Sequence, residues 1–249
     1  MTDRNAAFPR ITPVGLNGML ISFSDRLSEG ANRAALAFRA AIEGRALPGV
    51  IETTTSLTSA YVVFDPLTLP VQSLRGALLD LLAETDWSRA PLPSDRRLWR
   101  LPAAFGGAHG PQLEEAAAMA GVDPDTAIAE ICAARTRVLT IGFSPGQPYL
   151  GSLPENWDIP RQTGITKSVP CGAVTVAIRQ IVLFATTAPT GWRMVGETAF
   201  QGFRPESTTP IALRPGDEVQ FFEITAKELA EIRARDTSGD GGACVEAIS

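Results

Sequence analysis

Residues 142–161, GFSPGQPYLGSLPENWDIPR, hold three glycines (Gly142, Gly146, Gly151) and four prolines (Pro145, Pro148, Pro154, Pro160). Glycine admits backbone geometries that other residues avoid, and proline fixes φ while removing an N–H donor. No helix or regular strand runs through such a stretch. The same segment carries Phe143, Tyr149, Leu150, Leu153, Trp157 and Ile159, more apolar surface than a solvated linker tolerates. A segment that is both irregular and apolar has to pack on a body, and long packed loops are where function concentrates. The working surface is expected here.

The flanking sequence predicts two different bodies. On the N-terminal side, residues 17–24 suit a strand, and Ser28 caps a helix with Leu36, Phe38 and Ile42 among its apolar positions and Gly44 near its end. Val50–Ser56 and Ser59–Phe64 read as strands joined by Leu57-Thr58, and Leu74, Leu78, Leu81 and Leu82 mark a helix over 71–84. This β-α-β-β-α order is similar to the split-βαβ, ferredoxin-like arrangement, a small domain over 1–88. Residues 86–96, with two prolines and mixed charge, read as a linker.

The second domain is expected over 89–235. A short strand at Leu98–Leu101 precedes a glycine-rich loop at 105–110, and Pro111 is placed to open a helix that ends at Gly121. Asp123 as N-cap with Pro124 after it starts another. Beyond the central segment the pattern turns to short strands at 169–179, 181–186, 193–196, 200–203, 211–213 and 218–224, which suggests a closed or nearly closed barrel. Thr225 caps a helix over 226–234. Residues 236–249, rich in glycine and small side chains, read as a flexible tail. There is no internal repeat.

Composition narrows the classes. Hydrophobic residues make up 45% and charged residues 20% of 249, enough for a core. The net charge of −5 argues against nucleic acid and anionic membranes as partners. No run approaches the length of a membrane span, and the first residues lack the apolar core of a signal peptide, so the expected location is cytoplasmic. Three cysteines, odd in number and far apart, signal neither a disulfide framework nor a zinc site. His109 is the only histidine. That count excludes multi-histidine metal sites, and a Ser-His-Asp triad unless His109 serves; no metal is expected.

Each candidate residue has a functional and a plain reading. Arg161 can clamp a carboxylate or phosphate bidentately, or pair with an acid of its own domain. Lys167 adds charge for an anion or is a surface lysine. His109 is an acid–base group or a structural aromatic. Cys132 and Cys171 are buried structural thiols unless a cation or helix N-terminus activates them. Ser144 lacks the Gly-x-Ser-x-Gly setting of a nucleophile. Gly142, Gly146 and Gly151 can offer amides to an anion, but their spacing matches neither a P-loop nor the dinucleotide fingerprint. Tyr149, Trp157 and Trp192 line a pocket or pack in a core.

Taken together, FGG and HGP within 105–111, GFSPGQPYLGSLP at 142–154, PR at 160–161, VPCG at 169–172 and PTGWRMVGET at 189–198 resemble one family. It comprises the B subunit of prokaryotic 5-oxoprolinase, allophanate hydrolase subunit 1 and a sporulation-kinase inhibitor. The resemblance covers nearly the whole chain and implies an α+β protein: a small ferredoxin-like N-terminal domain plus a cyclophilin-like β-barrel. It implies a component of an ATP-dependent hydrolase that opens an amide or lactam. Such a component works with a second related cyclophilin-like subunit, of the 5-oxoprolinase C or allophanate hydrolase subunit 2 type. ATP is then bound by this chain or by that partner. Arg161, Gly146, Tyr149, Gly172, Gln180 and Trp192 are the candidate substrate-binding residues; no catalytic residue is assigned. The alternative is a non-catalytic regulator that inhibits a histidine kinase or similar partner. Against the family pattern, Gln147 replaces an aromatic, Cys132 a histidine and Gly164-Ile165-Thr166 a Thr-Pro-Arg. Thr175–Arg179 replaces a glycine-rich run and Thr190-Gly191 a Gly-Gly pair. A base, a cation and several flexible backbone points are thereby lost, as in a divergent paralogue.

Overall fold

In the computed structural model, which describes residues 8–248, the chain divides into two units, 8–94 and 95–248. The first contains β1 (Arg10–Val14), β2 (Gly18–Ser22), α1 (Glu29–Arg45), β3 (Val50–Ser56), β4 (Ser59–Phe64) and α2 (Val71–Ala83). Ala60, Val62 and Phe64 alternate inward along β4. They meet Met19, Ile21, Phe38, Ile42, Leu74, Leu78 and Leu81 in one core. Ser28 caps α1 by accepting from Ala31 N–H at 3.2 Å. The antiparallel sheet runs β1-β2-β4-β3. β1, which sequence periodicity did not reveal, takes the edge beside β2 that the last strand of a ferredoxin-like unit would fill. It tolerates Pro13 because an edge strand can spare a donor.

The expected linker begins inside this unit. Trp87 lies edge-on to Phe38 with ring centroids 5.0 Å apart, and its indole N–H donates to Leu81 O at 3.2 Å. Arg96 already belongs to the next strand.

The second unit contains β5 (Arg96–Phe105), α3 (Leu113–Ala120), α4 (Pro124–Ala133), β6 (Thr136–Ile141), β7 (Pro148–Gly151), β8 (Thr166–Val169), β9 (Ala173–Ala177), β10 (Gln180–Leu183), β11 (Ala188–Thr190), β12 (Arg193–Glu197), β13 (Glu218–Glu223), α5 (Ala226–Arg235) and β14 (Cys244–Ile248). Seven strands, β12-β9-β10-β7-β6-β13-β5, close into a barrel where β5 pairs with β12. Every pairing is antiparallel except β5 with β13. Val138, Leu150, Val174, Val176, Ile181, Val195 and Phe221 fill the interior, joined by Leu153, Trp157 and Ile159 of the irregular segment. β8 and β11 form a separate two-stranded ribbon.

A two-residue turn seats that segment. Ile178 and Arg179, between β9 and β10, both have positive φ, 44° and 60°. Their amides donate to Ile159 O (2.8 Å) and Trp157 O (2.9 Å), and Arg179 O accepts from Leu153 N–H (2.8 Å).

Several expected boundaries shift. The 142–161 segment, expected to hold no regular strand, contributes β7 to the barrel, because Pro148–Gly151 pairs with β6 on one side and β10 on the other. The strand read over 169–179 is split, because Pro170 and Gly172 (φ 86°) turn the chain between β8 and β9. Residues 200–203 and 211–213 contribute only an isolated Phe203–Ile211 bridge rather than strands. Pro111 precedes α3 by two residues instead of opening it. The stretch read as a flexible tail is ordered over 236–248: the Asp236 carboxylate accepts from Ser238 and Gly241 N–H, and β14 pairs with the first half of β5. Its glycines make a defined turn with positive φ at Gly239, Gly241 and Gly242. Among the described residues no helix is long and apolar enough to cross a membrane.

Candidate functional site

Side chains of the barrel strands (Ala173, Ala177, Val182, Met194) and of the segments that flank them (Val169, Phe184, Trp192) build a second, smaller apolar cluster, with Tyr149 against it. The Tyr149 and Trp192 rings meet edge to face, centroids 6.1 Å apart. The Arg161 guanidinium lies over the Trp192 ring, 5.2 Å from its centroid. Three of the six expected residues are therefore brought together. Gln180 follows on the same face of the sheet, since it pairs with Gly151 while Val182 pairs with Tyr149. It is 7% exposed, and its amide has no hydrogen-bond partner among the described residues.

Arg161 is held by its backbone neighbours while its charge stays exposed. Pro160 O accepts from Arg193 Nη1 at 2.6 Å, Gln162 N–H donates to Gly191 O at 2.7 Å, and Gln162 Nε2 donates to Trp192 O at 2.8 Å. Arg193, only 5% exposed, is neutralised by Glu115 at 2.8 Å. Gln112 Nε2 donates to Gln162 Oε1 at 2.7 Å, and its own Oε1 accepts from Met194 N–H. Arg161 itself forms no ion pair among the described residues, so the reading as a surface arginine paired within its domain finds no partner there. A fixed, unpaired guanidinium stacked on an aromatic face can take a carboxylate or phosphate through two parallel N–H donors.

The two glycines of the expected set have a different place. A Cβ at Gly146 would stand 2.4 Å from Gly202 O, and one at Gly172 2.2 Å from Thr198 O. Both positions are required for close backbone approach. The Gly172 amide is spent on Phe184 O. Ser144 Oγ donates to the buried Gln147 side chain at 3.0 Å, a loop brace. Trp157 is fully buried, with its indole N–H donating to Glu130 at 2.7 Å. Lys167 is an exposed residue of β8.

At the far end of β12 stands a cluster that sequence reading did not assemble. His109 Nδ1 is 2.6 Å from Glu197 Oε2, and Arg233 Nη2 donates to Glu197 Oε1 at 2.5 Å and to Thr198 O at 3.3 Å. These residues come from a loop, a strand and a helix, the partners 88 and 36 positions apart; no local motif announces such a trio. Cys171 lies within the field of Arg233 and Glu197, but burial dominates and pushes its thiol pKa up. Its Sγ–H donates to Ala185 O. Cys132 is also inert: burial, then the Glu223 charge, push it up to about 11. It borders a cavity of about 380 Å³ lined by Arg100, Asp125, Ile128 and Gln220. Among the described residues no group of three or more His, Cys, Asp or Glu stands ready to hold a metal.

The family described as carboxyltransferase domain, subdomain C and D, matches residues 9–213. A protein named as the B subunit of 5-oxoprolinase, from Bacillus subtilis (strain 168), is 31% identical over 229 residues, 88% of this chain and 94% of that one. The solved structure of TTHA0988 is 31% identical with a TM-score of 0.71, over 85% of this chain and 40% of that one. The urea carboxylase of Kluyveromyces lactis shares the fold at a TM-score of 0.71 and 16% identity, over 95% of this chain and 23% of that one. Of either solved protein, this chain spans well under half the length.

Proposed function

Because this chain belongs to the carboxyltransferase C and D subdomain family and is similar to 5-oxoprolinase B subunits, we propose that it is one component of an ATP-dependent enzyme that opens an amide or lactam, with 5-oxo-L-proline as substrate. The observation that carries the reading is likeness to the 5-oxoprolinase B subunit of Bacillus subtilis over 94% of that protein's length. Amides are poor electrophiles, so such chemistry needs activation of the carbonyl and capture of the anionic groups that accompany it. The Arg161–Trp192–Tyr149 face, with the free Gln180 amide beside it, answers the second need by holding a carboxylate or phosphate.

The first need falls to a partner. In the 142–147 loop, Gly142 N–H donates to Gln147 O and Gln147 N–H to Ser144 O, so these two amides are not free for a phosphate. ATP is accordingly assigned to a second, related subunit. More than half of the TTHA0988 chain lies outside the match, which supports a unit of this kind working beside further protein. Phe143, 74% exposed at φ 70°, offers that subunit an apolar contact on the central segment.

The test is ATP-dependent turnover of 5-oxoproline by the purified chain, by a second, related subunit, and by their mixture. Only the mixture is expected to be active. Arg161→Ala should weaken binding of a phosphate mimic about ten- to a hundredfold, the equivalent of a charge-assisted bond of roughly 1.5–3 kcal/mol, with an unchanged melting temperature. Activity of the lone chain would overturn the partner assignment. A stable complex that opens no amide would transfer the reading to the regulatory class.

A further inference from the structure

We propose that His109 is a proton-transfer residue of this chain, its Nε2 exchanging a proton with the water and the leaving amine of the amide-opening reaction. The inference rests on the function proposed above. Glu197 is a carboxylate shared between two donors, and an ionised carboxylate only accepts. With Arg233 on one oxygen, the 2.6 Å contact on the other requires the proton on His109 Nδ1. A neutral imidazole protonated at Nδ1 presents Nε2 as its basic atom.

That atom has no partner among the described residues, and a quarter of the side chain is exposed. The ring is also fixed in position. His109 N–H donates to Gly106 O at 3.0 Å, and Gly110 lies so close to Val195 that a Cβ there would be 1.9 Å from the carbonyl oxygen. A base oriented by an acceptor, which is itself oriented by a third group, is the arrangement general acid–base catalysis uses. As a water oxygen attacks the carbonyl, its O–H bond breaks, the electron pair stays on oxygen and the proton bonds to Nε2. The imidazolium then returns that proton to the amide nitrogen as the C–N bond breaks.

This centre is separate from the Arg161 face. Trp192 immediately precedes β12 and Glu197 ends it five residues later, roughly 16 Å at about 3.3 Å per residue. A single small lactam does not reach both. The amide is therefore placed at the His109 end, which leaves the Arg161 end for a second anionic group.

One histidine in the chain makes the test unambiguous. Nitrogen-15 spectra of the lone chain should show the neutral ring protonated at Nδ1, and Glu197→Gln should alter that tautomer balance. Diethyl pyrocarbonate should add one group to the histidine of the isolated chain. After assembly with the second subunit, the treated chain should lose turnover, and hydroxylamine should restore it. His109→Gln should lower kcat by about 10²- to 10⁴-fold with KM within about threefold, whereas Arg161→Ala should leave the modification rate unchanged. A ring protonated at Nε2, resistance to the reagent, or full turnover by the modified complex would each overturn the proposal. If the untreated complex opens no amide, the functional reading fails with it, while the tautomer still decides whether Glu197 sets the ring as inferred.

Discussion

Two hairpin turns, one in each unit, force bulky residues into the left-handed region and hold them there by different means. In the first unit Leu57 has φ 51°, and in the second Ile178 and Arg179 have φ 44° and 60°. Glycine or asparagine would be the ordinary choice at such positions. The Leu57-Thr58 turn is secured chiefly by a buried side chain: Asn32, fully enclosed in α1, donates to Leu57 O at 2.6 Å. Thr58 adds a bond to Ser24 O, and its carbonyl accepts from Phe23 N–H. The Ile178-Arg179 turn is secured by main chain against main chain, through Leu153, Trp157 and Ile159. The first lock depends on one residue's identity. The second depends on the path of a whole segment.

The largest effect that would break this contrast is expected at Asn32. Asn32→Ala leaves the Leu57 carbonyl without its donor inside the protein, and should cost about 2–3 kcal/mol. Chemical denaturation followed by tryptophan fluorescence should show the loss in the transition that reports Trp87; a loss under about 0.5 kcal/mol, the low end for a hydrogen bond, would mean the turn does not need its side-chain lock. Next comes strain. Ile178→Asn should stabilise by about 1 kcal/mol, because a β-branched residue at positive φ carries roughly 1–2 kcal/mol that asparagine largely avoids. The same change at Leu57, which is not β-branched, should yield about half as much. Destabilisation by Ile178→Asn would show that its side chain contributes more than its backbone costs. The smallest change is expected for Arg179→Ala. It removes the guanidinium bond to Leu153 O at 3.0 Å but leaves all three main-chain bonds, so thermal unfolding should shift by under about 1 kcal/mol.

How far the sequence could be read follows the same division. Where local chemistry decides, the reading is close to the structure: Val50–Ser56 and Ser59–Phe64 are strands with those bounds. Ser28, Asp123 and Thr225 cap the helices assigned to them. Where distant pairing decides, it is not. Cys244–Ile248 is a strand only because the first half of β5 offers it an open edge. Arg10–Val14 carries a proline and little buried surface, and it is ordered by pairing with β2. In the candidate site, Arg161 and Tyr149 could be picked out in one segment and Trp192 in another motif, and the fold adds their contact. Gly146 and Gly172 could be noticed but not interpreted, because the carbonyls they admit belong to Gly202 and Thr198. Glu197 and Arg233 gave no sign, since a histidine's orienting carboxylate is defined by space and not by spacing.

The one parallel pairing in the barrel has a consequence for synthesis on the ribosome. β5 lies beside β13, whose residues follow about 120 positions later. At roughly 5–20 residues per second, β5 emerges on the order of 6–24 seconds before its neighbour exists. The first unit can fold in that interval around a core of its own. Through the same interval Trp99, Leu101 and Ala103, all bound for the barrel interior, have no strand to pair with and no core to enter. The nascent chain is thus most exposed to wrong pairing while its middle third is being made, and slowing translation between β5 and β13 should lengthen that window.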